Sequence, residues 1–296
     1  MTRILHILDH SLPLHSGYCF RTRAIMKAQI ASGLTVAGVT GVRQNQHGYV
    51  AERPLEEFDD LQFFRTLAEV QGPSPIREWR EVAVLAERIE QVVHERQPDV
   101  LHAHSPALNG LAALRVAEKT GLPLVYEIRA FWEDAAVGNG TGKENSPRYW
   151  LTRQLENHVV NRADAAAVIC EGLRSGLIGR GVKPEKITVS PNGVDLELFG
   201  EPPARDESLL VELGLTGKPV LGFIGSFYDY EGLDDLIDAL PILQAFHPDV
   251  HLLLVGGGPM EEVLKKQVER LGIGSAVTFT GRVPHEQVER FYGIRN

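Results

Sequence analysis

Three stretches in the first half of this sequence hold side chains that could do chemistry. DHSLPLHSGY (9–18) puts His15, Ser16 and Gly17 just after an apolar run, ILHIL (4–8). Loops at the carboxyl ends of parallel strands form ligand sites. A glycine at 17 lets backbone N–H groups approach a diphosphate closely, unless it only supplies a positive φ to a turn. VLHAHS (100–105) carries His102 and His104. The two are expected to part: His104, nearer the strand's carboxyl end, toward the ligand, and His102 as a hydrogen-bonded core histidine. No second ligand follows His104 at helical spacing, so a zinc site is not expected. EIRAFWED (127–134) sets Glu127 and Arg129 on one strand face. That pair fits either acceptor hydroxyls or a phosphate, or a structural ion pair. Trp132 offers an apolar platform for a sugar or a lipid.

Two further loops lie in the second half. IGSFYDYEGLDDL (224–236) joins an apolar run to a helix pattern through Gly225, Ser226, Glu231 and Gly232. A strand, a glycine turn and a helix start make an anion site, because free N–H groups point at the ligand. Its four acids and lack of Lys or Arg argue the other way, toward acids that complement the positive end of a helix dipole. GGGP (256–259) repeats the strand–glycine–helix order with Gly257 and Gly258, where missing side chains leave room for ribose or phosphate.

The elements that must position these groups follow from periodicity. Short apolar runs at 4–8, 35–41, 99–105, 124–129, 165–170 and 186–195 alternate with helical patterns at 20–32, 79–96, 107–121, 150–162 and 171–180. Such alternation predicts parallel sheets of βαβ units. Residues 42–75 read as irregular with a weak strand at 61–66, and 130–150 as one long loop. The Pro-rich, charged stretch near 199–208 reads as a linker. Strands then restart at 219–225, 250–256 and 276–281, with helices at 232–246, 259–271 and 284–292. The expected fold is α/β with two Rossmann-like domains, 1–200 and 201–296. Three strands are few for a doubly wound sheet, so the second domain is expected to be truncated.

Composition excludes several classes. A chain of 296 residues with 43% hydrophobic and 23% charged residues is ordinary for a globular protein. The net charge of −9 argues against nucleic acid as a partner. Two cysteines, Cys19 and Cys170, lack metal-ligand spacing and fit a reducing compartment. The first apolar run is too short for a signal peptide, and none approaches the ~20 residues of a membrane span. The expected location is the cytoplasm, with room for peripheral contact at the inner face of the membrane.

Six segments in order, ILHILDHSLPLHSGYCFRT, DVLHAHS, VSPNGVD, GFIGSFYDYEGLDDLIDAL, LLLVGGGP and FTGRVPHEQVERFY, resemble the family 4 glycosyltransferases, retaining enzymes of GT-B fold. Details of the first and fourth segments and of EIRAFWED look closest to a subgroup tied to exopolysaccharide and exosortase gene clusters. The resemblance implies that the acceptor-side domain comes first and the nucleotide-sugar domain second, with chemistry in a cleft between them. It implies a sugar moved from a nucleotide-sugar donor to a glycan or lipid-linked acceptor with retention, the leaving phosphate helping to deprotonate the acceptor. No cofactor or metal is implied. His104 matches the family histidine that contacts the donor sugar and is the expected catalytic residue. Ser16, Gly17, Gly225, Ser226, Glu231, Gly257, Gly258, Arg282 and Val283 fall on the donor side, with the backbone at Val283 meeting the nucleobase. His15, Glu127, Arg129 and Trp132 fall on the acceptor side. PNGVD (191–195) corresponds to a region near the hinge, where a structural role is expected.

The sequence departs from the family where a basic pair is usual: Ser226 and Glu231 stand there instead. The compensating cations are expected from Arg21 or Arg23, or from a segment after Asn296. A non-catalytic remnant that binds a glycan or a protein is the alternative expectation. A Rossmann oxidoreductase is disfavoured because HSGYCF holds one glycine rather than G-x-G-x-x-G. A nucleotide-sugar epimerase lacks identifiable catalytic acids.

Overall fold

Parallel strands need long crossovers, and helices supply them. The computed structural model describes residues 1–14, 16–46, 49–194, 196, 204–284 and 287–294. It divides into two compact units, Met1–Asn192 and Gly193–Asn296, against an expected boundary at 200. Both are α/β with parallel sheets.

The first unit runs β1 (Arg3–Leu8), α1 (Gly17–Ala31), β2 (Thr35–Thr40), β3 (Leu55–Phe58), β4 (Leu61–Arg65), α2 (Ile76–Arg96), β5 (Val100–His104), α3 (Ala107–Thr120), β6 (Leu124–Ile128), α4 (Trp132–Gly138), α5 (Pro147–Arg162), β7 (Ala165–Val168), α6 (Glu171–Gly179) and β8 (Ile187–Val189). Its sheet has the order β3-β4-β2-β1-β5-β6-β7-β8, parallel except for the β3–β4 pair. The chain reverses direction across the sheet between β1 and β5. That is the switch point, where loops diverge and leave a crevice.

One face of these central strands is apolar. Leu5, Ile7, Leu101, Ala103, Tyr126 and Ile128 pack with Val82, Leu85, Ile89 and Val92 of α2 and with α3 and α5. Each Leu, Ile or Val among them contributes about 1.5–3 kcal/mol through burial. The opposite face, under α1, carries the polar alternates described below.

Two stretches expected to be irregular are ordered. Asp59 and Asp60 both hold positive φ, 55° and 61°, so FDDL closes a two-residue hairpin joining β3 to β4. Arg23 and Lys27 of α1 both donate to Asp59 and hold that turn. The expected 130–150 loop contains α4 and the start of α5. Glu133 of α4 is buried against Arg180 at 2.7 Å, and the Arg180 guanidinium lies 3.6 Å from the Phe131 ring centroid. The three glycines of that stretch sit at or beyond the end of α4.

The second unit runs α7 (Glu207–Glu212), β9 (Val220–Ser226), α8 (Leu233–Gln244), β10 (His251–Gly257), α9 (Glu261–Leu271), β11 (Val277–Gly281) and α10 (Val288–Tyr292). Its sheet is β11-β10-β9, all parallel. Helix α7 begins inside the expected linker. Asp206 caps it by accepting from the Leu209 N–H at 2.9 Å, and Leu209 and Leu210 are buried beside Leu253 and Val255. No helix among the described residues is long and apolar enough to cross a membrane.

Candidate active site

Period-two alternation puts residues i and i+2 on the same strand face. His102 and His104 therefore do not part, as expected from the sequence, but share the face covered by α1. Register adds two more groups, because His6 pairs with His102 and His104 with Glu127. The ring centroids of His102 and His104 lie 4.4 Å apart, stacked.

The hydrogen bonds of this layer fix its tautomers. Arg129 Nη2 donates to His104 Nδ1 at 2.8 Å, since a guanidinium can only donate. His104 Nε2–H must then donate to His6 Nδ1, 2.8 Å away, and His6 Nε2–H to Gln29 Oε1 at 2.8 Å. Both rings are neutral. Burial, then neighbouring charge, pushes His104 down to about 3 and His6 well below the usual histidine value. His104 is completely buried with both nitrogens engaged, so here it presents no atom to a ligand and acts as a positioning residue.

Glu127 and Arg129 are a structural pair rather than acceptor ligands. Glu127 Oε1 accepts from Arg21 Nε at 3.0 Å and from Arg129 Nε at 2.9 Å. His102 Nε2 lies 3.3 Å from Glu127 Oε2. Burial opposes the charge on Glu127, but the His102 hydrogen bond and the charge of Arg129 hold its carboxyl far below the usual range. Arg129 also donates to Tyr18 O and Thr22 Oγ1, tying β6 to α1. Arg21 donates to Ser190 O, Pro191 O and Asn192 Oδ1, which anchors PN at the end of the first unit. Arg21, expected as a cation for a diphosphate, is thus taken up by Glu127 and the backbone at 190–191, while Arg23, also expected there, pairs with Asp59 in a part-exposed contact.

The crevice mouth is built differently. Ser16 is the N-cap of α1, its Oγ accepting from the Cys19 N–H at 3.2 Å. His10, which the sequence reading passed over, stands between Asp9 Oδ2 and Ser16 Oγ, each 3.0 Å from a ring nitrogen. Burial favours a neutral ring, but hydrogen bonds from His10 to Asp9 and Cys19 outweigh it and push His10 up to about 9. Protonated His10 donates at both nitrogens. Ser16 Oγ then accepts twice, from His10 and from the Cys19 N–H, and keeps its own proton to donate. An Asp-His pair at a strand end, six residues before Ser-Gly, was the available signal. Gly17 is exposed, outside the positive-φ region, and has open space where a Cβ would stand. Neither backbone nor packing requires glycine there. Buried Arg65 supports this loop, donating to Ser11 Oγ at 2.7 Å and to Leu12 O at 2.6 Å. His15 lies outside the described residues.

In the second unit the glycines divide by task. A Cβ on Gly256 would stand 1.8 Å from Gly225 O, and one on Gly258 2.6 Å from Phe227 O. Two loops thus close on each other, joined by Phe227 N–H to Gly257 O at 3.3 Å and Met260 N–H to Phe227 O at 3.1 Å. Packing, rather than room for ribose, demands glycine at 256 and 258. Gly257 faces Glu261 and the exposed Arg282 side chain. Arg282 makes no ion pair among the described residues, so a cation stands beside Gly257. Ser226 is exposed, and Glu231 closes a single 3-10 turn before Gly232 at φ 68°. Val283 packs its side chain with the core around Leu253, leaving main chain as what it can offer. Trp132, half-exposed, lines a separate cavity of the first unit.

Residues 16–193 match the model of the glycosyl transferase 4-like domain, and residues 207–296 that of the glycosyl transferases group 1. The chain belongs to the GT-B glycosyltransferase family. It is 30% identical over 144 residues to the GDP-mannose-dependent alpha-(1-6)-phosphatidylinositol monomannoside mannosyltransferase of Mycolicibacterium smegmatis, covering 49% of this chain and 38% of that protein. It is 30% identical over 212 residues to the D-inositol 3-phosphate glycosyltransferase of Segniliparus rotundus, 69% of this chain and 46% of that one. The matched part thus spans less than half the length of these relatives. Among solved structures, sucrose-phosphate synthase from Thermosynechococcus elongatus aligns with a TM-score of 0.76 at 18% identity, over 100% of this chain and 74% of that one. Anabaena HepE in complex with UDP and glucose aligns with 0.66 at 20% identity, over 98% and 71%. The GT-B fold is therefore shared.

In the polar layer of the first unit, His6, His102 and His104 offer ring nitrogens within 4.8 Å of one another. That spacing suits a metal, but the donor set does not. His6 and His104 are bonded to each other, His104 also accepts from Arg129, and two guanidiniums stand at Glu127.

The same groups predict a stability maximum near pH 6.5. Between about 4.3 and 6.5, the unfolded-state pKa values of Glu and His, unfolding lets His6 and His104 take up protons. Buried Glu156, raised to about 7 by burial and by nearby Glu133, loses one instead. The net uptake is one proton, so stability falls by about 1.4 kcal/mol per pH unit of acidification. Glu127 adds to the loss below pH ~4.3. On the alkaline side, His10 contributes stability that is complete below ~6.5 and lost as pH rises through about 9. Urea titrations from pH 4 to 9.5 check this, and a maximum outside pH 6–7 contradicts it.

Proposed function

We propose that the chain transfers a sugar from a nucleotide-sugar donor to a glycan or lipid-linked acceptor, with retention, in bacterial exopolysaccharide assembly at the inner face of the membrane. The observation that carries this reading is Gly17. It starts a 15-residue helix with no conformational or packing reason to be glycine, beside the Ser16 hydroxyl that caps that helix and a charged His10. That combination suits a diphosphate approaching the backbone. The names of the relatives support the donor class, GDP-mannose for one and bound UDP and glucose for another.

In this reading Ser16 and Gly17 hold diphosphate oxygens. Ser226, Gly257 and Arg282 hold the nucleotide side, and the main chain at Val283 meets the base. His104 braces Arg129 and the sheet beneath the crevice. Positioning and charge stabilisation carry the catalysis, the leaving phosphate takes the acceptor proton, and no metal takes part. The test is a panel of UDP-, GDP- and dTDP-sugars with polyprenyl-linked and soluble glycan acceptors. Expected is nucleoside diphosphate release with one donor, unaffected by EDTA, and a product whose anomeric proton coupling matches the donor's. No release with any donor, or inversion, contradicts the reading.

A further inference from the structure

A second site lies in the first unit, away from the polar layer. Its cavity of about 360 Å³ opens between the first turns of α2 and α3 and the helices α4 and α5, within the roughly 300–1,000 Å³ of ligand pockets. Val82, Leu108, Leu111 and Leu155 form apolar wall. Trp79 and Trp132 stand on it 54% and 39% exposed, next to Leu151 at 52%. A concave surface that leaves two tryptophans and a leucine to water marks a binding site.

Charge on the wall separates into two kinds. Glu78 lies 3.6 Å from Arg77, Glu133 2.7 Å from Arg180, and Arg43 2.9 Å from Glu81. Lys143 and Arg148, both exposed, have no ion pair among the described residues. The apolar wall therefore offers a free ligand hydrocarbon contact, while the unpaired charge offered to it is positive.

We propose that this cavity binds a phosphate-bearing amphiphile, an alkyl or isoprenyl phosphate whose chain lies along Val82, Leu108 and Leu111 and whose phosphate meets Lys143 and Arg148. The proposal deepens the acceptor side of the function above and rests on it only for calling this ligand the acceptor. A free glycan suits the site less, because its hydroxyls would lie against the aliphatic wall of Val82, Leu108, Leu111 and Leu155, which offers them no hydrogen bond. An uncharged amphiphile would leave both cations unanswered.

Calorimetric titration with decyl phosphate, below its micelle-forming concentration, tests this. Saturable binding is expected, weakened at least tenfold in Lys143→Glu/Arg148→Glu and in Trp79→Ala. These exposed positions leave the fold intact, checked by circular dichroism. Decyl maltoside is expected to bind at least tenfold more weakly, and inorganic phosphate not at all. Equal binding of maltoside and phosphate amphiphiles, equal binding of inorganic phosphate, or unchanged affinity in the variants overturns the proposal. Donor hydrolysis is measured separately without acceptor. Turnover of donor with no decyl phosphate binding sinks this inference alone, and the reverse result sinks the glycosyl-transfer reading alone.

Discussion

Replacing Glu127 with alanine is expected to cost about 3–5 kcal/mol of folding stability, the range for breaking a buried ion pair from one side. The reason is what remains. Arg21 and Arg129, with side chains 13% and 11% exposed, would lose their shared carboxylate. Arg129 would keep its bonds to Tyr18 O, Thr22 and His104, none of which carries negative charge. Arg129→Met is expected to cost less, because Glu127 would still face Arg21 and His102. Urea midpoints with unchanged slopes measure both. A Glu127→Ala loss under 1 kcal/mol, or an Arg129→Met loss exceeding it, would show that the layer is not held through this carboxylate. The same substitution distinguishes support from ligand contact, since it should move stability before it moves acceptor KM.

Gly17→Ala is expected to do the opposite. Alanine in the first turn of α1 meets nothing within 4 Å, and it removes glycine's helix penalty of about 0.5–1 kcal/mol. Stability should hold or rise. The added methyl stands where a diphosphate oxygen would approach the backbone, so donor KM should rise at least tenfold, about 1.4 kcal/mol of lost binding. Thermal melting and donor titration read the two effects independently. An unchanged KM alongside unchanged stability would remove Gly17 from the donor site and leave a plain helix start.

What was legible in the sequence was local. The strand–helix alternation and the Gly121 stop, at φ 73°, follow from periodicity and turn chemistry within a few residues. So do the loops after β1, β5 and β9. The hairpin was equally local, and the Asp59-Asp60 turn between LEEF and LQFF could have shown it. His102 and His104 sharing a face was also local: period two requires it.

Tertiary structure alone decided which polar residues became scaffold. In the sequence Glu127 and Arg129 serve equally well as ligands or as a pair. Only the docking of α1 over β1, β5 and β6 brings Arg21, Tyr18 and Thr22 to them and shuts water out. Gly256 and Gly258 look like a nucleotide loop until Gly225 and Phe227, some thirty residues earlier, are seen to press against them. Gly17 carries the converse lesson, for the sequence left a ligand contact and a plain turn both open, and only the structure shows that no neighbour and no positive φ requires glycine there. A residue's type sets what it can do, whereas burial and partners come from contacts far apart in the chain, and these select which of those things it does.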